Sequence, residues 1–188
     1  MKKIKLALTL STLFIFGCAS TVQLMDKKSG ENLFETNKPV YTLVNLHPDE
    51  QRAKLYSVNY QQSGLIPLCS EVVMVEIQPK RLTFKVNSNE RQYTLDKHSS
   101  SPDFGKYLAQ YFGTSCDKNA IAKMSEIDQE GIKKGVVKSG MTKKGVILAI
   151  GYPPEHRTPS LDSDEWIYWR NRFATTLIKF TDGVVTQR

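Results

Sequence analysis

The signatures of metal, nucleotide and acyl-transfer chemistry are missing from this chain. Its three histidines, His47, His98 and His156, stand apart with no HxH or HxxxH spacing, and its three cysteines form no Cys-x-x-Cys pair. The ligand spacings typical of zinc sites are therefore absent. No glycine-rich phosphate loop follows a strand pattern, and no Gly-x-Ser-x-Gly elbow occurs. Asp162, Asp164 and Glu165 cluster in a polar loop, where a solvated acidic turn is the expectation. Cys69 or Cys116 could pair with His98 as a thiol–imidazole couple only if the fold joined them. Low-complexity tracts and clear repeats are also lacking, as are basic clusters interleaved with aromatics at base-stacking intervals. The expectation is a protein with no catalytic residue, no metal, no cofactor and no nucleic-acid partner.

Long apolar runs are scarce too. The one at the start, Leu6 to Phe16, is too short to span a bilayer. It follows Lys2, Lys3 and Lys5 and ends at Gly17-Cys18, so charge, core and small residue line up as a signal peptide over residues 1–17. Ile15-Phe16-Gly17-Cys18 resembles a bacterial lipobox, with Phe16 an unusual residue at its position. The expectation is acylation of Cys18, against ordinary secretion with an incidental cysteine. Each buried methylene contributes about 0.8 kcal/mol, so several acyl chains hold firmly. Ala19 after Cys18 resembles the outer-membrane sorting pattern of Gram-negative lipoproteins, which implies an anchor on the periplasmic face of the outer membrane.

The formal charge of +7 includes those three leader lysines; residues 18–188 carry 23 basic against 19 acidic side chains, or +4. That mild excess suits work near anionic lipid and is also ordinary. Beyond Cys18, Cys69 and Cys116 remain. An even pair in an exported chain reads as a disulfide, the alternative being two buried thiols.

Residues 18–38 are polar and aperiodic and read as a lipidated tether, with Leu33-Phe34 able to dock on the body. From Pro39 to Asp96 apolar residues alternate in short runs: Tyr41/Leu43, Tyr56/Val58/Tyr60, Val73/Val75/Ile77, Leu82/Phe84/Val86 and Tyr93/Leu95. Turns fit at Gln78-Pro79-Lys80 and Asn87-Ser88-Asn89, giving an antiparallel meander with one buried face. A helix capped by Ser101, with Pro102 at its first position, carries Phe104, Tyr107, Leu108, Tyr111 and Phe112 and ends at Gly113. A further helix starts at Ser125 or Asp128 and runs through Lys134. Gly131 and Gly135, one turn apart, suggest close packing against the next helix.

That next helix opens at Thr142 as cap, with Met141 stapled to Val146, and closes at Gly151 before Tyr152-Pro153-Pro154. Two strands follow, with Trp166 and Tyr168 on one face and Ile178 and Phe180 on one face of the next. The set Gly140-Met141-Thr142, Val146, Ala149-Ile150-Gly151-Tyr152-Pro153, Trp166-x-Tyr168 and Ile178-x-Phe180-x-Asp182-Gly183-x-Val185 resembles the SmpA/OmlA (BamE-like) family of small envelope lipoproteins. The resemblance runs from about Asp128 to the end, with Gly145 departing from the acidic or amide residue often found there. It implies two helices packed on a three-stranded antiparallel sheet and a role beside outer-membrane β-barrel assembly components. The same unit is similar to β-lactamase-inhibitor-like domains, which implies an inhibitor-like or ligand-sensing lipoprotein instead.

The expected fold is thus α+β: a β-rich lobe with one helix over residues 39–117, then the helix–sheet unit over 118–188. Two surfaces are candidates for binding a partner. A strand over Trp166–Phe173 carries Ile167, Trp169 and Phe173 on its outer face, with Arg170 and Arg172 adjacent and Leu177 on the next strand pointing the same way. Either the first lobe covers this face or a partner does. The second candidate is the proline-held loop Tyr152, Pro153, Pro154 and His156.

Overall fold

A computed structural model describes residues 22–101 and 103–187; the expected signal peptide over residues 1–17, the expected acylation site Cys18 and the expected first helical residue Pro102 lie outside them. The fold is α+β, with four helices and two sheets among the described residues. The first sheet holds β1 (Val40–Thr42), β2 (Lys54–Tyr56), β3 (Glu71–Gln78), β4 (Arg81–Val86), β5 (Gln92–Asp96) and β6 (Phe112–Gly113). Its spatial order is β2-β5-β4-β3-β1-β6. β3, β4 and β5 form the expected meander through turns at Pro79-Lys80 and residues 87–91. β2 departs from it, because it lies parallel to β5, with Leu55 opposite Leu95. Parallel neighbours need a long crossover, and here the β3–β4 hairpin supplies it.

The buried face of β3 also differs from the alternation read in the sequence. Val72 and Met74 point inward, whereas Val73 and Val75 are about half exposed. A bulge between Met74 and Glu76 then shifts the register and returns Ile77 to the inner side. Leu82, Phe84, Val86, Tyr93 and Leu95 are buried as the alternation requires. The helix across this sheet, α1 (Phe104–Leu108), is shorter than its apolar stripe suggested. Asp103 caps it by accepting from the Lys106 backbone N–H, while the Ser101 hydroxyl bonds Ser57 instead. Tyr111, Phe112 and Gly113 leave the helix because the last two pair with β1.

Residues 22–38 are no free tether. Leu24 and Leu33 are buried in the first core and joined by a backbone hydrogen bond of 2.9 Å. Asp26, 4% exposed, accepts from the backbone N–H groups of Lys28 and Thr114, each at 2.7 Å, and from the Thr114 hydroxyl. Burial alone would raise its pKa, but the hydrogen bonds from Thr114, Lys28 and Ser29 outweigh it and hold the carboxyl at about 2. A depressed acid stabilises the fold above its unfolded pKa near 4, by roughly 2 kcal/mol, and loses that contribution as pH falls toward 2. Urea melts should therefore show Asp26→Asn clearly less stable than wild type at pH 5, with the gap closing toward pH 2. A gap independent of pH would contradict this role.

The second sheet is β7 (Glu165–Asn171), β8 (Ala174–Thr181) and β9 (Val184–Gln187), antiparallel and in that order. After the short α2 (Lys118–Ala122), capped by Asp117, come α3 (Glu126–Lys134) and α4 (Lys143–Ile150). Ser125 and Thr142 cap these two as the sequence indicated, each accepting from a backbone N–H three residues on. Val146, Ala149 and Ile150 meet Trp166, Tyr168, Ile178, Phe180 and Val185 in one buried cluster. Gly145 fits a packing demand. A Cβ there would lie 1.9 Å from Asp128 Oδ1. Asp128, 1% exposed, accepts from the Thr142 N–H at 2.9 Å and its hydroxyl at 3.0 Å, tying α3 to the start of α4.

The two cores meet at α4, where Ile147 and Leu148 pack against both. The last carbonyls of a helix lack partners within it. Here the first lobe supplies them. The Asn45 N–H donates to Leu148 O, and Asn45 Nδ2 donates to Ala149 O and Ile132 O. His47 Nε2 donates to Ala149 O, while Asn59 Nδ2 and Gln61 Nε2 donate to Ile150 O. Burial pushes the His47 imidazole below its usual pKa, and the Ala149 carbonyl partly opposes this. Gly151, with φ +78°, lets the chain pass where a Cβ would sit 2.8 Å from Asn59 Nδ2. Its ψ of −175° makes it an extended exit rather than a left-handed helical cap.

Candidate functional site: an aromatic hairpin and the cleft beside it

Leaving α4, the chain turns through Tyr152, Pro153 and Pro154. Both prolines are buried, so they wall a cleft instead of presenting a loop to solvent. The cleft, about 450 Å³, lies between this loop and α1, with Tyr107, Gln110, Ser101 and Tyr152 on its sides and His156 at its edge. Tyr107, Tyr111 and Tyr152 form a row with ring centroids 4.5 and 5.8 Å apart. Burial raises the pKa of all three phenols, so they remain protonated at physiological pH and can donate hydrogen bonds.

His156 links this loop to the strand. Its ring stacks on Trp169 at 6.3 Å and accepts from Trp169 Nε1 at 3.4 Å. Partial burial, followed by the charges of His98 and Arg157, holds the imidazole below its usual pKa. The neutral ring keeps the lone pair that this hydrogen bond uses. The Arg157 guanidinium lies 5.4 Å from the Trp169 ring. Thr158 fixes the loop to the edge of β7 by accepting from the Ile167 N–H at 2.9 Å. The Gln61 N–H donates to Trp169 O at 2.9 Å on that same strand.

The first lobe packs on α4 and reaches β7 through Gln61, while the outer face of β7–β8 joins neither core. Ile167 stands opposite Leu177 and Trp169 opposite Thr175. Ile167 and Trp169 are half-buried, Leu177 and Thr175 are exposed, and none belongs to either core. Phe173 is placed differently from the sequence reading. A register shift ends β7 at Asn171, so Phe173 sits in the hairpin turn, 81% exposed, with the Arg172 guanidinium 4.5 Å from its ring. Arg170 is exposed beside it. The structure thus joins the loop and strand candidates through His156 and Trp169, and keeps Arg172 and Phe173 at the tip.

Cys69 and Cys116 are joined as a disulfide, with Cα atoms 5.4 Å apart, so neither is a thiol available to His98. Among the described residues no group of His, Cys, Asp and Glu could hold a metal ion, and no helix is long and apolar enough to cross a membrane. Sequence reasoning missed Asn45, His47, Asn59 and Gln61. Their only signal was polar residues spaced two apart within otherwise apolar runs. No protein-family model, curated protein or solved structure matches the chain.

Proposed function

We propose that this chain is a lipoprotein anchored through Cys18 to the periplasmic face of the outer membrane, working without catalysis as a protein-binding module. Its unit over residues 118–188 is read as SmpA/OmlA (BamE-like), beside components of β-barrel assembly. The observation that carries the binding role is the hairpin face outside both cores, with half-buried Ile167 and Trp169 and exposed Leu177 along it and Arg172 and exposed Phe173 at the tip. Aromatics beside arginine are the composition of interface hot spots. The two-helix, three-strand build of α3, α4 and β7–β9 supports the family reading, as do the lipobox residues Gly17-Cys18.

Mass spectrometry of partners purified from cross-linked envelopes tests this reading. Barrel-assembly components are the expected catch. Recovery of a hydrolase, or of the chain alone, would contradict it. A second reading, a ligand-sensing or inhibitor-like periplasmic lipoprotein, draws on the cleft, because its aromatic and hydroxyl lining suits a small amphiphilic ligand. In that case native mass spectrometry of the purified protein should reveal a bound small molecule.

A further inference from the structure

Resting on the reading of Cys18 as a lipid anchor, we propose that the face around Val22, Met25, Lys27, Lys28 and Lys106 sits against the anionic headgroup surface of the membrane that holds the acyl chains. The first ground is length. Only Ala19, Ser20 and Thr21 separate Cys18 from Val22. Four extended residues reach at most about 14 Å.

No slack follows, because Leu24 is fully buried and Asp26 is tied to Thr114. The backbone of Gln23 crosses α1 so closely that a Cβ on Gly105 would lie 2.7 Å from Gln23 O. A headgroup layer is about 5–7 Å deep on each side, and charges are felt over a Debye length of about 8 Å at physiological salt. The face at Val22 therefore stays within the field of the headgroups.

The second ground is charge. Lys27, Lys28 and Lys106 are all exposed. Lys106 also lines a shallow groove with Val22, Met25, Pro79 and Lys97, and Met25 is 38% exposed. Of the nearby carboxylates, Asp26 is turned inward onto Thr114, Asp103 is engaged as the cap of α1, and Glu31 is paired with Lys38 at 2.7 Å. Burial, and then the charge of Lys106, push the Lys27 ammonium below its usual pKa. Two cations held near one another are relieved by an anionic surface. The protein would thus be seated on lipid by its extra lobe, with the short spacer setting which face meets the bilayer.

Vesicle co-sedimentation tests this with the full chain carrying Cys18→Ser, purified from the soluble fraction. Vesicles of phosphatidylcholine mixed with phosphatidylglycerol should bind the protein, in a salt-sensitive way, and pure phosphatidylcholine should not. The triple variant Lys27→Gln/Lys28→Gln/Lys106→Gln should bind at least tenfold more weakly, since each lysine near an anionic surface is worth roughly fivefold. The control triple Lys123→Gln/Lys133→Gln/Lys144→Gln, exposed elsewhere on the chain, should bind as the parent does. Equal loss in both triples, or no preference for the anionic vesicles, would overturn the proposal. Palmitate-analogue labelling of the wild type tests the anchor separately, because the vesicle assay uses protein without acyl chains.

Discussion

Trp166→Ala lowers the stability by about 3–5 kcal/mol, the range for emptying a buried aromatic site. Trp166 is fully buried, its ring 4.7 Å from Phe180 and enclosed with Val146, Ala149 and Ile150. The cavity would open between the second sheet and α4, the layer on which both cores lean, so relaxation cannot fill it cheaply. Against a total stability of 5–15 kcal/mol, such a loss leaves a large unfolded fraction on mild warming. Among the described residues the indole N–H has no hydrogen-bond partner, so the site is valued for shape rather than polarity. Trp166→Phe should consequently cost far less than Trp166→Ala in a urea melt. A cost for Trp166→Ala below about 1 kcal/mol would mean that the sheet does not rest on this residue.

Removing the disulfide should have the next largest effect. Cys69 and Cys116 are 47 residues apart in sequence, and the chain-entropy model assigns closure of such a loop about 4 kcal/mol. The bond joins the chain just before β3 to the chain just after β6, so it straddles β1, a strand of only three residues. A strand that short contributes few ladder bonds, and its neighbours need another constraint. Cys116→Ser, or reductant on the wild type, should lower the melting temperature by roughly 10 °C, since 1 kcal/mol corresponds to about 2–4 °C at this size. Two alkylatable thiols in the unfolded, unreduced protein would show that the pair is not joined.

The second sheet was legible because each strand buries one face. Trp166 and Tyr168, then Ile178 and Phe180, leave no doubt about phase, and a one-residue slip would expose all four. β3 was not legible for the opposite reason. Val72, Val73, Met74 and Val75 are apolar in both phases, and no alternation announces the bulge that follows. Residues 22–38 misled because what holds them is largely backbone and carboxylate hydrogen bonding around Asp26, which leaves no hydrophobic period.

The helix caps at Ser125 and Thr142 were readable from local chemistry. The capping of α4 by Asn45, His47 and Asn59 spans about ninety to one hundred residues of sequence, beyond any local pattern. For the candidate site, the residue types were visible and their assembly was not. Trp169 and His156 were both singled out, but their stacking depends on the loop at Pro153-Pro154 folding back onto the strand.

On the proposed reading the outer hairpin face binds a partner instead of serving the core, and Trp169→Ala separates the two roles. Trp169 is half-buried and outside both cores, its ring against His156 and Arg157 and its backbone bonded to Gln61 and paired with β8. The measurement is paired: thermal melting of the purified variant, and partner recovery from cross-linked envelopes. The expected melting temperature lies within about 4 °C of wild type, a loss near 1 kcal/mol. Partner binding should weaken by about 2 kcal/mol or more, roughly thirtyfold. A variant that keeps its partners in full, or that melts as early as Trp166→Ala does, would return this face to a structural role and contradict the claim.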